Sequence, residues 1–244
     1  MDVRIQAWAI ACLLAATAAA DGRTFAVDGT KPGNVLPNPS QMLTSWNVPK
    51  RYDPSQLLDK DWDVRGFAEW VEVMAATGGN DERDCFRNPK DRSVTDDYDF
   101  SRLVDGCRAI LSQGMKPYIK LGNVPTKLSS NVSLGDFGMN VRPPDDYSAY
   151  GRYMEACARA LLAAFGKEEL LKWRFAVLTE YENGGWFKDA SGDPERTFHA
   201  YCLLYETTVA AFGRVISPDL TFGAHAMAVT EGLWDERRFL AFVA

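Results

Sequence analysis

The sequence predicts an α/β protein of the (β/α)8 TIM-barrel type, with about five of the eight strand–helix units falling within its 244 residues. Three observations carry that prediction. Short apolar runs alternate with stretches whose apolar residues recur at helical spacing, and such alternation implies parallel strands joined by helical crossovers. No glycine-rich phosphate loop follows the first strand, so the open doubly wound sheet that competes with the barrel lacks its usual dinucleotide site. The polar residues that stand out lie where strands give way to loops, which is where a barrel carries its chemistry.

The elements follow in order. Residues 28–41, DGTKPGNVLPNPSQ, are rich in Pro and Gly and read as irregular. FAEWVEVMAA, residues 67–76, reads as a strand that ends at Thr77-Gly78-Gly79-Asn80. Residues 96–114 read as a helix with Phe100, Leu103, Cys107, Ile110 and Leu111 on one face and Gly114 as its C-terminal cap. A second strand begins at Met115 and stops at Val124-Pro125, because Pro has no N–H for the ladder. The loop over 126–144 is long and rich in Ser, Asn, Gly and Pro, and loops of that length in compact domains are usually functional or disordered. A helix over 145–166 carries Tyr150, Tyr153, Cys157, Leu161 and Phe165 on its face. WRFAVLTEYE, 173–182, is the next strand. The helix over 193–216 has Asp193 as its N-cap and Pro194 at its first position. A strand over 220–228 and a helix from Leu233 onward complete the series. That last helix shows no closing element, so the sequence reads as the front part of a longer barrel, since an open sheet edge is a liability.

Composition narrows the function. The chain is 46% apolar and 25% charged with a net charge of −6. That acidic balance argues against nucleic acid as a partner, because phosphate binding wants a basic face. Residues 1–20 read as a secretory signal. Arg4 precedes an almost wholly apolar run, and Ala18 and Ala20 form a small-x-small cleavage site before Asp21. The run is too short and too rich in Ala to span a membrane well. The expected location is secreted or periplasmic, with the barrel domain over 21–244 and no membrane span once the signal is gone. Cys107 and Cys157 fall on apolar helix faces and read as buried free thiols. No Cys/His spacing points to zinc, and no cofactor is implied.

RFAVLTEYENGGWF, 174–187, carries two acids, Glu180 and Glu182, as the strand meets its loop. Two residues apart on an extended chain, they would point to one side. Paired carboxylates at a barrel mouth suit glycoside cleavage, where one protonates the leaving oxygen and another serves as nucleophile or base. Tyr181, Trp186 and Phe187 offer aromatic faces for a sugar. Asn123, after the second predicted strand, and His225, near the end of the last, are further candidate substrate contacts.

Several segments in order resemble glycoside hydrolase family 39, the β-xylosidase and α-L-iduronidase family. They are FAVDGTKPGNVLP, YDFSRLVDGCRAILSQGMKPYIKLGNVPTKLSS, YGRYMEACARALLAAFGKEELLKWRFAVLTEYENGGWF and YCLLYETTVAAFGRVISPDLTFGAHA. The resemblance implies a (β/α)8 barrel and a retaining mechanism on an oligosaccharide or glycoside. It makes Glu180 the acid/base at the end of the fourth strand and puts the nucleophile Glu on a seventh strand beyond Ala244. The sequence departs from the family at Leu178-Thr179-Glu180-Tyr181, where the family reads Trp-Asn-Glu-Pro. Thr179 therefore stands where an Asn would hold the sugar 2-hydroxyl, and Glu182 or Asn183 is the expected replacement for that contact. A non-catalytic carbohydrate-binding barrel is the alternative, motivated by the same departure.

Overall fold

Parallel strands stand side by side in chain order, each separated in sequence from the next by a crossover connection. The structure, a computed structural model, describes residues 42–45, 68–135, 137–181, 183–223 and 236–244. The signal-like run, Glu182 and His225 lie outside them. The strands are β1 (Met42–Ser45), β2 (Trp70–Val73), β3 (Lys116–Leu121), β4 (Arg174–Val177) and β5 (Thr221–Gly223). All four pairings are parallel, and the sheet order is β1-β2-β3-β4-β5. A doubly wound sheet reverses its strand order at a switch point. This sheet does not, and the sequential order is that of an arc of a (β/α)8 barrel.

The helices are α1 (Ser101–Ser112), α2 (Tyr147–Phe165), the short α3 (Lys167–Leu170), α4 (Pro194–Val215) and α5 (Glu236–Val243), with a 3-10 turn at Thr126–Leu128. Their ends follow local chemistry. Asp146 accepts a hydrogen bond from the Ser148 N–H and caps α2, and Asp193 accepts one from the Glu195 N–H ahead of Pro194 and caps α4. Gly114 has φ +75° and donates its N–H to Leu111, closing α1 as expected of a left-handed C-terminal residue.

Period-two alternation sorts the strand residues. Val71, Val73, Ile119, Leu121, Phe175 and Val177 are buried in one core with Leu103, Cys107 and Ile110 of α1, Tyr150, Tyr153, Cys157 and Leu161 of α2, and Tyr201, Leu204 and Phe212 of α4. The alternate positions of β2, β3 and β4 are Trp70, Glu72, Lys116, Tyr118, Lys120, Arg174 and Ala176, so the face turned from the helices carries four charged residues. Lys120 pairs with Glu72 at 3.3 Å, and Lys116 and Arg174 lie over the Trp70 ring at 5.1 and 4.2 Å. Glu72 thus belongs to an interior strand, paired across to β3.

Two expected strands are shorter than their apolar runs. The first ends at Val73, with Ala75 at φ +51°, and the third ends at Val177, with Leu178 at φ +61°. Left-handed backbone takes the chain out of the ladder at both places. Among the described residues the thiols of Cys85, Cys107, Cys157 and Cys202 are free and buried.

Candidate active site

Glu180 stands three residues past the end of β4, at the carboxyl edge of the sheet. The chain turns there through two left-handed residues, Leu178 and Glu180, at φ +61° and +49°. A non-glycine residue held in that region costs about 1–3 kcal/mol and persists only when its surroundings over-determine it. Here they do. Leu178 donates its N–H to Leu121 at 2.7 Å, and Asn183 donates its N–H to the Glu180 carbonyl at 2.8 Å. Tyr201 of α4 donates its hydroxyl to the carbonyl of Val177 and stacks flat on Tyr181, with ring centroids 4.0 Å apart.

The arrangement corrects the picture of two acids on one side of an extended strand. β4 has already ended, and Glu180 is half-buried on a turn. Its Oε2 accepts the indole N–H of Trp186 at 3.0 Å. Trp186 itself is 3% exposed, and Phe137 stacks on it at 4.3 Å and 14°. The ring expected to offer a sugar platform is therefore covered, and its polar edge holds the carboxylate instead. Asn183, expected to replace a lost sugar contact, shapes the turn: its Oδ1 accepts the Gly185 N–H at 3.0 Å, and its carbonyl accepts the N–H of Trp186 at 2.9 Å.

Thr179 is 8% exposed and turns its hydroxyl to the sulfur of Met74, at 3.6 Å. Asn123, just past β3, is 4% exposed, and its carbonyl accepts the hydroxyl of Thr77. Thr179 and Asn123 thus lie at the same edge of the sheet as Glu180.

Three loops meet around this edge. Met74 and Ala75, Met139 and Trp186 form one small buried apolar cluster, so the loops after β2, β3 and β4 share a contact. The long loop over 126–144 is ordered by backbone pairing. Asn140 donates to Gly79 at 2.6 Å, Lys188 donates to Val141 at 2.7 Å, and Arg142 reaches the Asp189 carbonyl at 2.8 Å. A Cβ on Gly135 would run into the Gly185 carbonyl oxygen, so the β3 and β4 loops approach backbone to backbone. Asp84 fastens the other side, accepting the N–H of Gly79 and both the N–H and hydroxyl of Thr126. Sequence reasoning missed Met74, Asp84 and Phe137. Phe137 had a visible signal, being the one aromatic ring in the loop over 126–144.

A parallel sheet in sequential order, with a carboxylate held at the carboxyl end of its fourth strand, is the arrangement of the (β/α)8-barrel class, whose chemistry sits at that edge. The sequence model of glycosyl hydrolases family 39 matches residues 77–243, and the chain belongs to that family. It is 30% identical over 180 residues to a β-xylosidase of Caldicellulosiruptor saccharolyticus, covering 73% of this chain and 34% of that protein. It is 28% identical over 134 residues to a β-xylosidase of Geobacillus stearothermophilus, covering 54% of this chain and 25% of that one. The fold resembles that of a family 39 β-xylosidase from Caulobacter crescentus, with a TM-score of 0.61 and 24% identity over 83% of this chain and 42% of the other. The chain thus spans about a third or less of the curated relatives it matches.

Proposed function

We propose that this chain is the acid/base-bearing part of a secreted or periplasmic retaining glycosidase that acts on β-xylosides. One observation carries the reading: a family 39 chain holds Glu180 on a strained turn at the end of β4, with one carboxyl oxygen fixed by an indole N–H. The strain and the fixed orientation are what a proton donor needs, because general acid catalysis requires the carboxyl within hydrogen-bond reach of the leaving oxygen.

In the first step Glu180 gives its proton to the glycosidic oxygen as the bond to the anomeric carbon breaks and a second carboxylate attacks that carbon. In the second step Glu180 takes a proton from water as that water bonds to the anomeric carbon; the glycosyl ester bond breaks, the second carboxylate leaves ionised, and Glu180 is again protonated. In this reading the second carboxylate lies outside the 244 residues, and the 244 residues alone turn over no aryl glycoside. The xyloside assignment rests on what the two bacterial relatives are called, and export rests on the pattern of residues 1–20. No cofactor takes part.

The test is Glu180→Gln in the complete protein. Turnover of xylosides with poor leaving groups should fall by about 10²–10⁴-fold, the usual contribution of a positioned general acid. Undiminished turnover sinks the reading. A carbohydrate-binding barrel without catalysis is the second reading, favoured by Thr179, which is 8% exposed and turns its hydroxyl proton to the sulfur of Met74. Sugar binding by the complete protein with no hydrolysis of any glycoside would establish it.

A further inference from the structure

The contact between Trp186 and Glu180 joins residues on one turn, yet the indole is held by residues from two other loops. Met74 and Ala75 come from the loop after β2. Met139 and Phe137 come from the loop after β3, and Phe137 lies flat on the indole at 4.3 Å. The only polar group of the indole leaves this apolar box toward Glu180 Oε2, at 3.0 Å. We propose that Trp186 is a positioning residue for proton transfer: it fixes the Glu180 carboxyl so that the transferable proton sits on Oε1, and the loops after β2 and β3 set that orientation by packing the indole. The inference rests on the reading of Glu180 as the general acid.

The argument is one of donor inventory. An indole N–H can donate and cannot accept. The carboxyl oxygen facing it must therefore act as acceptor in both steps, whether the acid is protonated or ionised. A carbonyl oxygen accepts more strongly than a hydroxyl oxygen, so in the protonated acid the N–H at Oε2 favours the hydrogen on Oε1. As the glycosidic bond breaks, its electron pair goes to the leaving oxygen and the proton passes there from Oε1. The carboxylate left behind keeps its hydrogen bond at Oε2. The indole contributes no proton. It removes one of two equivalent carboxyl orientations, and misplacement of a reacting group by about 1 Å can cost on the order of 10²-fold in rate.

The test uses leaving-group dependence in the complete protein, because only substrates with poor leaving groups need the proton. Trp186→Phe keeps an aromatic ring against Phe137 and deletes the N–H. The expected result is a fall of about tenfold or more in kcat/KM for alkyl xylosides, with less than about a threefold change for the dinitrophenyl xyloside, a fraction of the full general-acid effect. Partial recovery of the alkyl xyloside rate by Trp186→His, which restores a ring N–H, supports the same conclusion. Equal losses on both substrates, or none on either, overturn it, because packing alone would not sense the leaving group. Replacing Trp186 by 3-benzothienylalanine, which differs only in lacking the N–H, decides the matter if Trp186→Phe does not fold. Glu180→Gln, assayed on the same series, separates the two levels. If it lacks a leaving-group signature, the acid assignment fails and this inference with it. If it has one while the Trp186 variants parallel the parent protein, only the positioning role falls.

Discussion

Asp84 accepts both the backbone N–H of Thr126, at 2.8 Å, and the hydroxyl of the same residue, at 2.7 Å. Its other oxygen takes the N–H of Gly79 at 2.6 Å, so one carboxyl joins the loop after β2 to the loop after β3. Burial pushes this group up to about 6 from 3.8, against the pull of those three donors and with a smaller push from Asp81.

The sign of the resulting pH dependence follows. A carboxyl with a raised folded-state pKa binds more protons folded than unfolded, so its contribution to stability is full below 3.8 and is lost as pH rises through about 6. The shift amounts to roughly 3 kcal/mol at about 1.4 kcal/mol per unit. Asp84→Asn should remove that slope. Urea denaturation at steps between pH 4 and pH 7 should show the parent losing stability relative to the variant as pH rises; a difference that does not change with pH refutes the account.

Lys127 and Asp97 form an ion pair whose two halves are unequal. The lysine side chain is wholly buried, 2.6 Å from Asp97 and 2.7 Å from the Val94 carbonyl, over the Phe86 ring, while the Asp97 side chain is 16% exposed. Asp97→Ala strands an ammonium away from water and should cost on the order of 3 kcal/mol. Lys127→Met leaves a carboxylate that water can reach and should cost about 1 kcal/mol, nearer the value for an exposed pair. Denaturation midpoints of the two variants decide it, and the reverse ranking would contradict the burial argument.

Gly122 is the backbone position on which the Glu180 turn rests. Its φ is +98°, and an added Cβ would lie 2.9 Å from Cγ1 of Val177 and 3.2 Å from the amide nitrogen of Leu178. Gly122→Ala should therefore destabilise by more than about 1 kcal/mol, because both the dihedral and the space oppose it. It should also lower turnover, since Leu178 leads into Glu180. A variant with parental midpoint and rate would show that β3 does not set the turn.

The thiols offer a direct check on packing. Cys85, Cys107, Cys157 and Cys202 are buried, and burial pushes Cys202 up to about 11 and Cys107 and Cys157 well above the ordinary thiol range. Only the thiolate reacts readily. An aromatic disulfide reagent at pH 8 should modify none of the four in the native protein and all of them in denaturant, as read by peptide mass. Fast native labelling of any one would contradict its placement.

What the sequence determined by itself was local. Helical and strand periods, the Asp193-Pro194 start, the Gly114 stop and the apolar setting of Cys107 and Cys157 each depend on residues a few positions apart, and the structure keeps them. The ending of a strand near Glu180 was legible for the same reason. The short β1, Met42–Ser45, had too few residues to show a period and becomes a strand through its pairing with Trp70–Val73. Strand order, the Glu72–Lys120 pair, the Asp84–Thr126 clamp and the Phe137 ring over Trp186 join residues about 40 to 50 positions apart, and no local pattern encodes them. The extended geometry expected for Glu180 failed on the same ground. Left-handed backbone at Leu178 and Glu180 is unfavourable for the isolated chain, and only the packing of three loops and the tyrosines of α2 and α4 against the strand ends makes it the stable choice.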